Sequence, residues 1–359
     1  MHDRWSGPMR TFSARVRARL HKLRNNFSLW SSVTGHDFSR ADQLLIKRFR
    51  ALAPAPILAL TLLLAPPLPA QDTPTFKIES KLVNLYINVA DQSGAIVGGL
   101  TKDDFRVSED GRPQTIAIFE RQSELPLSIM LAIDTSLSVR KDLTEEKRAA
   151  GHFARDLLRS QDQMGLIQFA TYVSQLVPFT NNLKQIDRGL GELRPGEATA
   201  LYDAIYLGSQ SLAPKQGRKV LIVVSDGGNT TGDASYQSAL EQAQRGDVMV
   251  YSLIDVPIEA SAGRDTGGEH ALITLAEQTG GKSFYVDEGG LDKAFAKVSD
   301  DLRTQYLIGY YPKNQPHGQS FHRIGVTVPR AAAGVYNIRC KAGYYTEQPA
   351  KTRYVPKDY

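Results

Sequence analysis

The sequence predicts an α/β protein with a doubly wound, mainly parallel sheet and helices on both faces, plus a small β domain from the flanking segments. Three observations support this. Strand and helix patterns alternate over residues 124–300, and two of those strands, at 127–134 and 220–225, are almost entirely apolar. The flanking segments 75–123 and 303–346 contain only strand patterns. Alternating strands and helices are typical of a parallel sheet whose strands are buried on both faces.

The β segment before the α/β region begins with residues 81–89, in which apolar and polar side chains alternate. A hairpin follows, because Asp110-Gly111 separates two strand patterns and favours a tight turn. After the α/β region, three further strand patterns occur between residues 305 and 344. We expect the two β segments to pair with each other, with the α/β domain inserted between them. The tyrosines near residues 306–311 and 344–345 are expected to pack across neighbouring strands.

Within residues 124–300 the sequence predicts six strands and six helices. The strands are expected at 127–134, 163–169, 172–178, 220–225, 248–254 and 283–286. The helices are expected at 144–158, 183–193, 200–212, 235–244, 271–279 and 291–302. Gly280-Gly281 is expected to end the helix at 271–279, because glycine adopts the left-handed conformation that commonly follows a helix.

A group of oxygen-bearing side chains follows the first apolar strand. Asp134, Ser136 and Ser138 occupy alternate positions, and one carboxylate with two hydroxyls suits a hard cation such as Mg²⁺, Ca²⁺ or Mn²⁺. Taken alone, the pattern is weak. A polar connection in which Asp134 or Ser138 caps the next helix would explain it equally well.

Two later residues strengthen the cation interpretation. Thr199 lies just before a helical pattern, and Asp226 follows the second apolar strand. In an open α/β sheet, ligands bind beyond the carboxyl ends of the strands, where Asp134 and Asp226 are both expected. Asp203 lies one helical turn beyond Thr199. We expect it to cap the early helix and interact with the helix dipole, outside the site.

The set Asp134-x-Ser136-x-Ser138, Thr199 and Asp226 resembles the metal-ion-dependent adhesion site of von Willebrand factor type A domains, over about residues 124–300. All five family positions are present in family order. The resemblance implies a doubly wound sheet and a cation bound directly by the two serine hydroxyls. It also implies that the aspartates often act through water and that the threonine contact varies with conformation. The chain ends resemble bacterial exported "VWFA-related" proteins, through Gly98-Gly99-Leu100-Thr101-x-x-Asp104-Phe105 and 306–311.

The predicted ligand set favours Mg²⁺, with Ca²⁺ or Mn²⁺ as alternatives. Two carboxylates and three neutral hydroxyls leave the ion with positive charge and an open position, which a carboxylate from outside can fill. The resemblance therefore implies a metal-dependent adhesion or assembly module that docks Asp or Glu of a protein partner. Two alternatives remain open: an envelope-assembly protein whose metal only stabilises the fold, and a metal-dependent hydrolase.

Enzymatic activity is not expected, and no catalytic residue or small-molecule substrate is predicted. The sequence contains no His-x-x-x-His pair, no Gly-x-Ser-x-Gly and no phosphate-binding loop.

Partner specificity is expected to come from the loops around the metal, at 139–143, 194–198, 227–233 and 259–269. In some relatives ligand binding moves the last helix. Here the helix at 291–302 leads into the C-terminal β segment and could transmit such a movement.

The charge distribution argues against a nucleic-acid partner. The chain has a formal net charge of +5, but residues 1–50 carry +8 and the remainder carries −3. The main part of the protein is therefore mildly acidic, unlike a typical nucleic-acid-binding domain.

Only one cysteine is present, Cys340, so no intramolecular disulfide can form. Its strand pattern predicts a small buried residue rather than a reactive thiol.

The N-terminal region predicts export. Basic residues 47–50 precede an apolar stretch at 57–65, and Leu68-Pro69-Ala70 resembles a signal-peptidase site before Gln71. We expect residues 51–70 to form the hydrophobic region of a signal peptide and cleavage near Ala70-Gln71. The protein would then be periplasmic, secreted or on the cell surface, with possible envelope association. An uncleaved membrane anchor is the alternative. Residues 1–50 are expected to be an unstructured basic leader or an over-extended start, and 347–359 a tail.

Overall fold

The computed structural model describes residues 82–121, 124–137, 143–256, 265–286, 290–313, 321–329 and 335–346. The predicted leader, signal peptide and tail lie outside these residues, as does Ser138. None of the described helices is both long enough and apolar enough to cross a membrane.

The central sheet has six strands, β5 (Leu127–Asp134), β6 (Gln163–Phe169), β7 (Val173–Thr180), β8 (Arg218–Ser225), β9 (Val248–Ile254) and β10 (Ser283–Tyr285). Their order in the sheet is β10-β9-β8-β5-β6-β7. All neighbours are parallel except β6 and β7, which are antiparallel. The helices are α1 (Leu143–Leu157), α2 (Leu183–Glu192), α3 (Leu201–Leu212), α4 (Tyr236–Gly246), α5 (Thr266–Thr279) and α6 (Gly290–Arg303).

Helices cover both faces of this sheet. On β5, Ile129 and Leu131 belong to one apolar cluster, together with residues of α1, α2 and α6. The alternate residues Met130 and Ala132 belong to a second cluster, together with residues of α3, α4 and α5. Every residue of β5 is buried, which explains why the strand is apolar at successive positions instead of alternating. The predicted fold class, a mainly parallel sheet between two helical layers, is confirmed.

The flanking segments form two antiparallel four-stranded sheets, in the orders β13-β1-β11-β4 and β14-β12-β2-β3. Both sheets combine strands from before and after the α/β region. The strands before it are β1 (Val83–Asp91), β2 (Arg106–Glu109), β3 (Arg112–Gln114) and β4 (Ile116–Arg121). Those after it are β11 (Tyr306–Tyr310), β12 (Phe321–Thr327), β13 (Tyr336–Arg339) and β14 (Gly343–Tyr345). A third apolar cluster contains residues from both sheets, including Leu85, Phe105, Val107 and Ile308.

Helix α5 begins five residues before the predicted start at residue 271. Asp265 is its N-cap, and the Asp265 side chain accepts a hydrogen bond from the backbone N–H of Gly268. The glycines at 267 and 268 have low helix propensity, so the sequence pattern hides this first turn. At the other end, Gly280 has a φ of +83° and ends the helix as predicted.

Buried polar contacts join the β sheets to the α/β region. The Arg339 guanidinium of β13 donates to both carboxylate oxygens of Asp301 on α6, at 2.5 and 2.6 Å. It also donates to the backbone carbonyls of Gly280 and Gly281, each at 2.8 Å. The Tyr251 hydroxyl of β9 donates to the same Asp301 carboxylate at 2.7 Å. Arg339 therefore holds the end of α5, the end of α6 and an outer sheet together.

Replacing this arginine should lower the stability of the whole protein. Arg339→Met leaves the Asp301 carboxylate without its cationic partner in a largely buried position, and we expect a loss of roughly 3 kcal/mol in the free energy of unfolding. Urea denaturation measures the change. The matched control is Arg155→Met, which removes an exposed ion pair with Asp187 and should cost less than about 1 kcal/mol. Equal losses in the two variants would contradict this account.

A candidate cation site at the carboxyl edge of the central sheet

Asp134 and Asp226 lie at the same edge of the central sheet. Asp134 is the last residue of β5, and Asp226 directly follows the last residue of β8, which is the strand beside it. From β5 the chain first adds β6 on one side and later crosses to β8 on the other, so the two aspartates flank the point where the strand order reverses. Ligand sites of open α/β sheets form at such points.

The Asp134 carboxylate is held by hydrogen bonds on both oxygens. It is 1% exposed, and its Oδ1 accepts from the backbone N–H of Ser136 at 2.9 Å. The Ser136 hydroxyl is also hydrogen-bonded to this carboxylate. Oδ2 accepts from the hydroxyl of Ser225 at 2.7 Å. Ser225 was not among the predicted site residues, although a polar residue ending an apolar strand is a signal that could have identified it.

The surroundings of Asp134 do not fully compensate its negative charge. Burial raises the pKa of the Asp134 carboxyl to about 6, although the hydrogen bonds from Ser136 and Ser225 lower it. The nearby negative charge of Asp226 raises the pKa further. Two neighbouring carboxylates in a partly dehydrated position favour either a proton or a metal cation, since each neutralises the charge.

The chain turns sharply after Ser225, and glycine is required there. Gly227 has a φ of +96°, and a Cβ at this position would lie 2.8 Å from the backbone nitrogen of Glu269. The Gly227 N–H donates to the Ser225 hydroxyl at 3.1 Å. The N–H of Gly228 donates to the Asp226 carboxylate at 3.0 Å. This turn fixes the position of Asp226 relative to β8.

Thr199 lies in a neighbouring loop at the same edge. Its backbone N–H donates to the Thr230 hydroxyl at 2.9 Å, and its carbonyl accepts from the Thr230 N–H at 2.9 Å. The N–H of Gly196 donates to the carbonyl of Thr135 at 2.7 Å, which ties this loop to the end of β5. The structure thus brings the loops carrying Asp134, Ser136, Thr199 and Asp226 to one edge, and the five-residue ligand set stays a prediction.

Asp203 lies in the first turn of α3, where its negative charge favours the helix dipole as expected, and it also holds a neighbouring loop. Its carboxylate accepts hydrogen bonds from the backbone N–H of Asp233, at 3.1 Å, and of Ala234, at 2.6 Å. Both groups belong to the loop that follows Asp226, so Asp203 fixes that loop to α3. The loop brings backbone donors to a carboxylate in the first turn of the helix, an arrangement that helix periodicity does not show.

The donor set fits a hard divalent cation. The predicted ligands offer carboxylate and hydroxyl oxygens and no sulfur or imidazole nitrogen, a composition suited to Mg²⁺. The carboxylate that would balance the ion's charge is buried and already oriented by Ser136 and Ser225. If the ion is bound, it supplies a positive centre that attracts a carboxylate from outside.

Two large apolar side chains are exposed at the same edge. Leu137 is 56% exposed and Tyr172 is 61% exposed. Each follows the end of its strand by three residues, and these strand ends, Asp134 and Phe169, are paired in the sheet. The Thr171 hydroxyl accepts from the N–H of Ala198 at 3.3 Å, which fixes the Tyr172 loop beside the Thr199 loop.

One family model matches part of the sequence. Residues 129–229 match the sequence model of the von Willebrand factor type A domain, so the resemblance predicted from the site residues is confirmed for that part of the chain. No protein of curated function matches the sequence.

Several solved structures are similar to part of the chain. An aerotolerance-related membrane protein from Bacteroides fragilis, with multiple mutations to serine, is 24% identical; the match covers 49% of this chain and 98% of that one, with a TM-score of 0.40. The conserved hypothetical protein BatB from Bacteroides thetaiotaomicron is 21% identical; the match covers 49% of this chain and 97% of that one, with a TM-score of 0.41. The minor pilin PilB from Streptococcus sanguinis is 14% identical; the match covers 51% of this chain and 62% of that one, with a TM-score of 0.40.

The raised pKa of Asp134 predicts a pH dependence of stability in metal-free protein. The folded state binds this proton with a pKa of about 6, against 3.8 for the free side chain. Protonation of Asp134 therefore stabilises the folded state. This contribution to the free energy of unfolding is fully present below pH 4 and is lost as the pH rises through 6, a change of roughly 3 kcal/mol. Urea denaturation in EDTA between pH 4 and 7.5 should show this loss in the wild type relative to Asp134→Asn. Parallel profiles for the two proteins would contradict it.

Proposed function

We propose that this chain is an exported, metal-dependent protein-binding module that docks an acidic residue of a partner through a Mg²⁺ ion. Asp134, Ser136, Ser138, Thr199 and Asp226 would hold the ion, with Ca²⁺ or Mn²⁺ as alternatives. The observation that carries the proposal is the buried, oriented Asp134 carboxylate beside Asp226 at the strand-order reversal of the sheet. The family match and the predicted signal peptide support it.

The protein's own residues would divide the work at this site. Ser225 and the backbone of Ser136 orient Asp134, and Gly227 and Gly228 position Asp226. Asp203 holds the following loop in place. A site prepared in this way needs little rearrangement when the ion and the partner bind, and preorganisation lowers the cost of binding.

The exposed apolar side chains suggest what surrounds the partner's carboxylate. Leu137 and Tyr172 would contact apolar side chains next to the acidic residue that reaches the ion. The exposed carboxylate of Glu197, in the Thr199 loop, would repel a strongly acidic partner. We therefore expect a single Asp or Glu in an apolar setting rather than a run of acidic residues.

A direct test compares Mg²⁺ and partner binding in two variants. Asp134→Ala should lower Mg²⁺ affinity at least tenfold by isothermal titration calorimetry, because it removes a charged group of the site. In pull-downs from envelope extract, partner bands should disappear with EDTA, return with Mg²⁺ and be lost in Asp134→Ala. The control is Asp187→Ala, an exposed aspartate on α2 paired with Arg155, which should behave as wild type.

The outcomes separate the three functions. Loss of partner bands with intact folding by circular dichroism supports docking. Loss of folding in Asp134→Ala without any EDTA-sensitive partner supports a metal that only stabilises the fold. Mg²⁺-dependent turnover of phosphate-ester or peptide substrates would instead support a hydrolase. Bands that persist in EDTA and in Asp134→Ala would contradict the proposal.

The apolar contribution can be separated from metal binding. Tyr172→Ser removes an exposed ring that makes no predicted contact with the ion, so Mg²⁺ affinity should stay unchanged while partner binding falls about tenfold, as for a moderately important interface aromatic. Titrating captured partner against both proteins measures the ratio. Tyr311→Ser, at an exposed tyrosine that follows β11, serves as the control, and equal partner affinity in all three proteins would argue against an apolar contact.

A further inference from the structure

A second group of metal-ligating side chains lies in the outer sheets, outside the candidate Mg²⁺ site. Glu109 ends β2, Asp110 begins the hairpin turn, and His322 belongs to β12. β2 and β12 are paired, with Glu109 opposite Ile324, two residues from His322. One ligand atom from each of the three residues can be chosen so that all lie within 4.8 Å of one another.

The Glu109 carboxylate is buried and oriented by two tyrosines. It is 3% exposed, and its Oε2 accepts from the hydroxyls of Tyr310, at 2.6 Å, and Tyr344, at 3.0 Å. Its other oxygen, Oε1, lies 3.9 Å from Nδ1 of His322, which is beyond hydrogen-bond distance. The tyrosines therefore fix one oxygen while the other faces the histidine. Both tyrosine donors are neutral, so they orient the carboxylate without cancelling its charge.

Asp110 reaches the same imidazole nitrogen from the hairpin turn. Its Oδ2 lies 2.8 Å from Nδ1 of His322, and its Oδ1 accepts from the backbone N–H of Arg323 at 2.9 Å. His322 is 1% exposed, whereas the Asp110 side chain is 47% exposed. The group is thus buried at Glu109 and His322 and reaches solvent at Asp110.

We propose that Glu109, Asp110 and His322 bind a zinc ion, which clips the β2–β3 hairpin to β12. Ligands around a tetrahedral zinc lie about 3.3 Å apart, given bonds of about 2.0–2.1 Å. The distances from His322 Nδ1 to the two carboxylates, 2.8 and 3.9 Å, lie on either side of that value. Because all three ligand atoms lie within 4.8 Å of one another, movements of about 1.5 Å or less would bring them to that spacing. One imidazole and two carboxylates leave a fourth position for water on the open side.

The chemistry of this group differs from that of the candidate Mg²⁺ site. An imidazole nitrogen favours zinc over magnesium, whereas the site at Asp134 offers oxygen ligands only. A divalent ion would also place two positive charges beside the two carboxylates. The chain has only one cysteine and forms no internal disulfide. A metal clip is another way to link segments that lie more than 200 residues apart in the sequence.

Zinc titration of the full chain tests this inference. In excess Mg²⁺, isothermal titration calorimetry with Zn²⁺ should give one ion bound at Glu109, Asp110 and His322 per chain and a higher melting temperature. Asp110→Asn and His322→Gln should each lower zinc affinity at least tenfold and remove the thermal shift. Asp110→Asn alters an exposed side chain, so it remains informative if His322→Gln fails to fold.

Two controls isolate the site. His152→Gln changes an exposed histidine that also lies 3.0 Å from an aspartate, Asp292, and Asp134→Asn changes the candidate Mg²⁺ site. Both should bind zinc as the wild type does. Absence of bound zinc in the wild type would overturn the inference, as would unchanged affinity in Asp110→Asn and His322→Gln or equal loss in either control.

Discussion

The structure around the candidate cation site depends on how the protein holds the carboxylate of Asp134. This group ends a strand that is buried on both faces, so it is withdrawn from solvent at the position where β5 leaves the core. Its two oxygens are bound by Ser136 and Ser225, yet burial and the charge of Asp226 still raise its pKa. The fold thus maintains a buried negative charge that a cation would stabilise.

The other features of this edge can be understood from that constraint. A strand buried on both faces requires helices on both sides of the sheet, and the strand order reverses at β5 because successive crossovers go to opposite sides. The loops that follow β5, β6 and β8 therefore meet. Asp203 holds the loop after β8, and Thr230 of that loop accepts from the backbone N–H of Thr199. Leu137 and Tyr172 lie exposed in the loops after β5 and β6.

The sequence predicted the fold class because β5 and β8 are nearly uninterrupted apolar runs, and periodicity identifies such runs well. It also placed Asp134 and Asp226 at one edge, since each ends such a run. The contribution of Ser225, the loop contact of Asp203 and the first turn of α5 were not predicted. The Asp203 contact joins segments distant in sequence, which residue spacing does not encode. The first turn of α5 is hidden by Gly267 and Gly268, whereas Ser225 could have been identified as the polar residue that ends an apolar strand. The group at Glu109, Asp110 and His322 was missed for the same reason as the Asp203 contact, because the pairing of β2 with β12 brings it together.

The central claim is that a divalent cation binds beside Asp134 and Asp226. Crystals of the full chain soaked in Mn²⁺, measured at a wavelength where manganese scatters anomalously, locate the ion directly. The account predicts an anomalous peak among the oxygen atoms of Asp134, Ser136, Ser138, Thr199 and Asp226, absent from crystals of Asp134→Ala. A map without a peak at this edge, or with the same peak in the variant, would contradict it.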